Sequence, residues 1–198
     1  MGAWEALTLD VRSLEIPEVK MITPALHRDD RGFFSEVYNQ RSFAQVGITA
    51  DFVQDNHSLS GPQGTVRGLH FQVAPHPVSK LVRVVRGATF DVAVVLRRGS
   101  PTFGRHLCAV LSAENWAQLF VPVGFAHGFC TLEPDTEVAY KVTDYWYPEV
   151  DKGLLWNDPE LGISWPVSAE QAVLSKKDRD QPPLTELPHL FAFEDPQS

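Results

Sequence analysis

Lys80-Leu81-Val82-Arg83-Val84-Val85-Arg86-Gly87-Ala88-Thr89-Phe90-Asp91-Val92-Ala93-Val94-Val95-Leu96 is the stretch that decides the fold. Two runs rich in valine flank a glycine, the pattern of strand, turn and strand. The rhythm continues downstream. Arg97-Arg98-Gly99-Ser100-Pro101 breaks the chain, and Arg105 to Leu111 runs into Ser112-Ala113-Glu114-Asn115. Trp116 to Val121 and Phe125 to Leu132 follow, then the turn Glu133-Pro134-Asp135-Thr136 and the run Glu137 to Thr143. Strands at roughly 8–12 residue spacing with turns between them read as a sandwich or barrel. Helical signal is confined to Ser42 to Val46, Ser168 to Ala172 and Ser175 to Asp178, a turn or two each. Nothing has the length or alternation of a strand–helix–strand unit, so a parallel nucleotide-binding sheet is not expected. The fold class is all-β, a jelly roll, in one domain over residues 1–198. The C-terminal stretch with Pro182, Pro183 and Pro188 should be irregular and wrap the surface.

A chain of 198 residues can bury a core without help from disulfides or a metal. Its apolar runs all fall short of the ~18 residues of a membrane span. Met1-Gly2-Ala3-Trp4-Glu5 lacks the basic start and apolar block of a secretory leader. Cys108 and Cys130 have no CxxC spacing and sit in apolar runs, so both read as buried free thiols of a reducing cytoplasm. The formal net charge of −8 argues against nucleic acid as a partner. It also means that an anionic ligand needs local cations, for which Arg31, Arg67, Lys80 and Lys177 are the candidates.

Strand alternation places the polar groups. Val138, Tyr140 and Val142 share a face, so Tyr140 points into the barrel. Lys80 shares parity with Val82 and Val84, and Asp91 with Thr89, Ala93 and Val95. Thr65-Val66-Arg67-Gly68-Leu69-His70-Phe71-Gln72 reads as a strand that carries Arg67 and His70 among apolar and glycine positions. A histidine and a tyrosine in one β pocket can act as base and acid, which makes proton transfer the leading chemistry. A carboxylate on one imidazole nitrogen fixes the tautomer, and Asp178 in Ser175-Lys176-Lys177-Asp178 is available for that role.

Metal chemistry is the rival. Pro122-Val123-Gly124-Phe125-Ala126-His127 fits the second motif of the cupin metal proteins, P-x-G-x-x-H. The first motif is missing: there is no His-x-His, and His70 and His76 are too far apart to replace it. His127 then reads as a hydrogen-bonding residue, toward a ligand or within the core. Rossmann and P-loop glycine patterns are absent, as is the serine of a nucleophile elbow.

With these residues in hand, the chain resembles the dTDP-4-dehydrorhamnose 3,5-epimerase family from about Ile22 to Leu184. The blocks that carry the resemblance include Asp30-Arg31-Gly32-Phe33-Phe34, Phe52-Val53-Gln54-Asp55-Asn56-His57-Ser58, Arg67 to Gln72, Pro122 to Phe129, Trp156-Asn157-Asp158-Pro159 and Ser175 to Asp178. The resemblance implies a cupin-like jelly roll, a homodimer that exchanges N-terminal strands, and neither metal nor organic cofactor. It implies His70 as general base, Asp178 as its partner, Tyr140 as acid and Lys80 beside the sugar's 4-keto oxygen. Arg31, Glu36, Gln54, Asn56, Arg67, His127, Asp151 and Lys177 fall at its nucleotide-sugar binding positions, and Asp91 is an inward support. The implied substrate is dTDP-4-keto-6-deoxy-D-glucose.

Three positions depart from the family pattern. Asp151 stands where glutamate is usual, Trp146 where tyrosine is common, and Val95 replaces an acid. Trp146 and Asp151 bear on whether one carbon or two is inverted. The readings kept open are therefore a double epimerase, a single-centre epimerase and a non-catalytic nucleotide-sugar binding barrel. The N-terminal segment to about Arg28 carries few strand signals, and its Met21-Ile22 and Leu26 need a covering surface.

Overall fold

A computed structural model describes residues 9–193. The expectation about Met1 to Glu5 lies outside them. In chain order the elements are β1 (Leu9–Ser13), β2 (Lys20–Pro24), the hairpin β3 (His27–Asp29) and β4 (Gly32–Phe34), and helix α1 (Gln40–Gln45). The body follows: β5 (Gln54–Ser60), β6 (Val66–Gln72), β7 (Lys80–Arg86), β8 (Ala88–Val95), β9 (Arg97–Arg98), β10 (His106–Ser112), β11 (Gln118–Val121), β12 (Phe125–Thr131) and β13 (Thr136–Val142). It ends with β14 (Asp151–Gly153), helix α2 (Lys176–Arg179) and β15 (Phe191–Ala192).

Two antiparallel sheets carry the fold, one of six strands in the order β1-β2-β11-β7-β13-β5 and one of five in the order β10-β8-β12-β6-β14. Val82, Val84, Leu119, Val121 and Val138 of the first pack against Ala93, Val95, Leu107, Leu111, Phe125 and Phe129 of the second. Burying such an apolar face is the main favourable term in folding, about 25 cal/mol per Å². This is the expected jelly roll. The outer faces are covered too. The C-terminal stretch lays Ile163, Trp165, Leu184, Leu187 and Leu190 over Phe71, Val92, Val94 and Leu96. The region around α1 packs Phe43 and Ile48 on Ile22, Leu81 and Phe120. β8, an interior strand of its sheet, is accordingly buried on both faces at Val92, Ala93, Val94 and Val95.

One irregularity shapes the site. β12 pairs His127 with His70 but Phe129 with Arg67, so β6 carries an extra residue at Gly68-Leu69. In a regular strand, positions 67 and 70 would face opposite ways. The bulge turns both inward while Val66 and Leu69 pack outward. Only glycine fits here: Gly68 has φ +111°, and a Cβ would lie 2.7 Å from Gly128 Cα and from the His127 carbonyl oxygen.

The N-terminal segment forms β1 and β2, and β2 pairs with β11, which buries Ile22 and packs Met21. One expectation about the core is corrected. Cys108 is exposed rather than buried, because β10 is an edge strand that points Leu107, Ala109 and Leu111 inward and Cys108 outward. Cys130 is buried as expected. Ser168 to Ala172 makes a single hydrogen-bonded turn, as its sequence suggests.

Candidate active site

A cavity opens between the sheets, in two adjoining lobes of about 150 and 280 Å³. His70, Lys80 and Tyr140 line both lobes. Gln54, Asn56, Trp146 and Asp151 line the smaller lobe, and Arg67, His127, Lys177 and Asp178 the larger. Strand parity explains most of this. His70 follows outward Leu69 on β6, Tyr140 lies two residues from core Val138 on β13, and Lys80 two from Val82 on β7.

The structure joins His70 to Asp178 across 108 residues of sequence, with Nε2 2.5 Å from Oδ1. Helix α2 makes this possible. Ser175 caps it, with its hydroxyl accepting from the Asp178 N–H at 3.1 Å and donating to Asp178 Oδ2 at 2.8 Å. The Asp178 side chain is only 6% exposed, against 29% for His70. Burial alone would raise the Asp178 carboxyl. The hydrogen bond and charge of His70, with Ser175 and Lys177, instead hold it below its ordinary value. With Nε2–H donated to a carboxylate, Nδ1 is the ring's basic atom.

A second ring–carboxylate pair lies deeper. His127 Nε2 is 2.7 Å from Asp91 Oδ1, and Thr89 donates its hydroxyl to Asp91 Oδ2 at 2.5 Å. Burial lowers the His127 value despite the neighbouring Asp91. Asp91 lies behind His127, fully enclosed, which fits the inward face read from its parity. Lys80 Nζ donates to the His70 carbonyl oxygen at 3.0 Å, and burial pushes the ammonium down to about 8 against the pull of Asp151 and Asp91. Burial also raises the Tyr140 phenol, keeping it protonated, with Arg67 opposing and Asp151 adding.

At the mouth, Asp151 Oδ2 accepts from Lys177 Nζ at 2.6 Å and from the Trp146 indole N–H at 3.0 Å. Burial would raise this carboxyl too, yet these two donors hold it low. Gln54 donates to Asn56 Oδ1 at 2.9 Å, and Arg67 to the Ser60 hydroxyl and the Leu59 carbonyl, both at 3.0 Å. Arg31 and Glu36 are not brought to this cavity. Arg31 stands 89% exposed at the tip of the β3–β4 hairpin, paired with Asp29. Sequence reasoning missed Gln72, Ser175 and Thr89. Ser175 was readable as a serine three residues before an acid at a helix start; Gln72 shares His70's parity, and Thr89 that of Asp91. Among the described residues no three His, Cys, Asp or Glu side chains converge as metal ligands.

Chemically, the arrangement offers an imidazole able to take a proton, a phenol able to give one, and an ammonium that can stabilise negative charge between those events. Fold and cavity together define a class: jelly-roll isomerases that work by proton transfer. The family model for dTDP-4-dehydrorhamnose 3,5-epimerase matches residues 13–186. A Sinorhizobium fredii protein named dTDP-4-dehydrorhamnose 3,5-epimerase is 52% identical over 98% of both chains. The Legionella pneumophila dTDP-6-deoxy-D-glucose-3,5-epimerase, solved with dTDP-4-keto-L-rhamnose, superposes with a TM-score of 0.90 at 41% identity, covering 95% of this chain and 100% of that one. A Bacillus anthracis dTDP-4-dehydrorhamnose 3,5-epimerase with TDP and pyrophosphate bound gives 0.86 at 49% identity, over 89% of this chain and 99% of that one. The chain belongs to the dTDP-4-dehydrorhamnose 3,5-epimerase family.

Proposed function

We propose that this enzyme inverts carbons 3 and 5 of dTDP-4-keto-6-deoxy-D-glucose to give dTDP-4-keto-L-rhamnose, by proton removal and return through an enolate. The observation that carries the reading is that His70 and Tyr140 come from opposite sheets onto one cavity, with Lys80 on its wall. The 4-ketone acidifies the hydrogens on both neighbouring carbons. His70 Nδ1 takes one of them, and the electron pair moves onto the keto oxygen. The imidazolium so formed is stabilised by Asp178. Lys80 stabilises the enolate oxygen, an oxyanion-type contribution of about 3 kcal/mol where such donors have been removed. Tyr140 returns a proton to the opposite face, which inverts the centre. His70 gives its proton to water, and Tyr140 regains one from water, before the second cycle.

Arg67 and Lys177 supply positive charge for the diphosphate, since a forked guanidinium and an ammonium outweigh a diffuse negative field at contact distance. Gln54, Asn56, Trp146 and Asp151 form the wall for the rest of the nucleotide sugar, and His127, backed by Asp91, faces the reacting end. Arg31 and Glu36 lie off their own chain's cavity, and a homodimer exchanging the N-terminal segment is the arrangement that would carry them to a ligand. Light scattering showing a stable monomer at micromolar concentration would count against it. The free thiols accord with a cytoplasmic location. Among the described residues, no helix is long and apolar enough to cross a membrane.

The test is proton NMR of the substrate with the enzyme in heavy water. Deuterium entering at carbons 3 and 5 supports the double epimerase. A single-centre epimerase is the second reading, favoured by the engagement of Trp146 with Asp151; it expects uptake at one carbon only. No uptake with ligand bound would refute both.

A further inference from the structure

Gln72 ends the strand that carries His70, and no step of the proposed reaction uses it. Its side chain is buried and its amide is fully engaged. Nε2 donates to the carbonyls of His76 at 2.8 Å and Tyr145 at 3.1 Å, while Oε1 accepts from the Tyr147 N–H at 2.9 Å. Tyr145 and Tyr147 flank Trp146, so one side chain holds the peptide groups on both sides of it, much as a neighbouring strand would. The N–H of Trp146 itself donates to Gln54 Oε1 at 3.3 Å. Across the β6–β14 ladder, the residue opposite Gln72 is Asp151, which takes the indole N–H. Two cross-strand neighbours thus hold one residue, Gln72 by its backbone surroundings and Asp151 by its ring. On the outside, His76 Nδ1 pairs with Asp144 Oδ2 at 2.9 Å and stacks on Tyr147 at 3.7 Å.

We propose that Gln72 is a positioning residue for the cavity mouth: it fixes the pose of Trp146 and, through Asp151, that of Lys177. The proposal rests on the reading of Trp146 as a substrate-contacting residue. A ring 61% exposed on a loop is not held in place by packing. Its orientation depends on the backbone beneath it, and that backbone is held by a buried amide. Removing the amide leaves two carbonyls and an N–H without their partner, and the segment loosens where the ligand enters.

The experiment compares wild type with Gln72→Met, which keeps the chain length and loses the amide. Three quantities are read: hydrogen–deuterium exchange of the peptide spanning 144–148, KM against kcat, and the same kinetics in a Trp146→Ala background. Exchange in that peptide should quicken by about tenfold, as expected when local hydrogen bonds are lost. KM should rise by about tenfold with kcat within about threefold, the mark of lost uniform binding. The KM effect should disappear in the Trp146→Ala background, since a residue acting through Trp146 is not additive with it. Unchanged exchange, or an equal rise in KM in both backgrounds, would overturn the proposal. If Gln72→Met does not fold, Gln72→Glu, which keeps the acceptor for Tyr147, is judged on the same readings. Quicker exchange with unchanged KM overturns the positioning role. If Trp146→Ala also leaves KM unchanged, the failure lies in the reading of Trp146 instead.

Discussion

Asp178→Asn isolates what the buried carboxylate does for His70. Asparagine keeps the size, and its oxygen can still accept from Nε2, so ring orientation survives. What disappears is the charge that stabilises the imidazolium. Two unit charges about 4 Å apart attract by about 4 kcal/mol at an effective dielectric of 20. Here Lys177 competes for the carboxylate, and the ring is 29% exposed. Solvent screening of this kind leaves roughly half the attraction, about 2 kcal/mol. That corresponds to a fall of about 30-fold in kcat, with KM within about threefold because the carboxylate supports a charge present only during turnover. The assay is the rate of deuterium entry at carbons 3 and 5 by proton NMR, with saturating substrate. His70→Asn should cost more, roughly 10²–10⁴-fold for a missing base. The double variant should be no slower than His70→Asn, because the carboxylate has no ring left to support. Full turnover in Asp178→Asn, or a change in KM alone, would refute the reasoning.

Lys80 should set the alkaline limb of the pH–rate profile. Burial lowers its value to about 8, so the ammonium is present below that pH and lost above it, and the rate should fall as pH rises through 8. Lys80→Arg should move that limb upward. Asp178 supplies an acid-side check on stability. Its carboxyl is held below the ordinary value, so its contribution is present above about pH 4 and lost as pH falls through the lowered value. Thermal melts against pH should show a shallower acid limb in Asp178→Asn. Gly68→Ala should destabilise by about 3 kcal/mol, since its Cβ would meet the β12 backbone at 2.7 Å and at a positive φ. Calorimetry should then show Tm lower by roughly 6–12 °C for a chain of this size. Chelation with EDTA should leave turnover unchanged, while a loss restored by zinc or iron would revive a metal mechanism.

Strand parity made Lys80, Asp91 and Tyr140 legible, because a period of two depends only on local sequence and the core face is apolar enough to mark it. Arg67 and His70 resisted the same logic. Their shared face comes from a bulge whose extra residue is specified by close approach to Gly128 on another strand. β1 and β2 left little local signal, since β1 is held by β2 and β2 by β11, nearly a hundred residues away. Cys108 misled for a related reason. An apolar run reveals that a strand is half buried, and only the sheet order reveals that β10 is an edge. The His70–Asp178 contact spans 108 residues and came from family resemblance alone. What local sequence did offer there, the Ser175 cap three residues before Asp178, explains how the carboxylate is aimed.

The net charge of −8 bears on how such a cavity can receive an anion. Each carboxylate around it is committed to donors: Asp91 to His127 and Thr89, Asp144 to His76 and the Tyr145 N–H, Asp151 to Lys177 and Trp146, Asp178 to His70 and Ser175. Lys177 is one of those donors, but the other two cations are arranged differently. Lys80 donates to a carbonyl, and Arg67 to a hydroxyl and a carbonyl, all neutral acceptors. Their charge is therefore not cancelled at contact distance, and in a partly desolvated site it acts more strongly than on the surface. The acidic exterior is screened over about 8 Å at physiological salt, so it hardly reaches an anion once inside. One consequence is chemical as well as electrostatic. Among the described residues Lys80 has no counter-ion at hydrogen-bond distance, which leaves its ammonium free to answer the negative charge that the proposed reaction would develop on the keto oxygen as the carbon–hydrogen bond breaks.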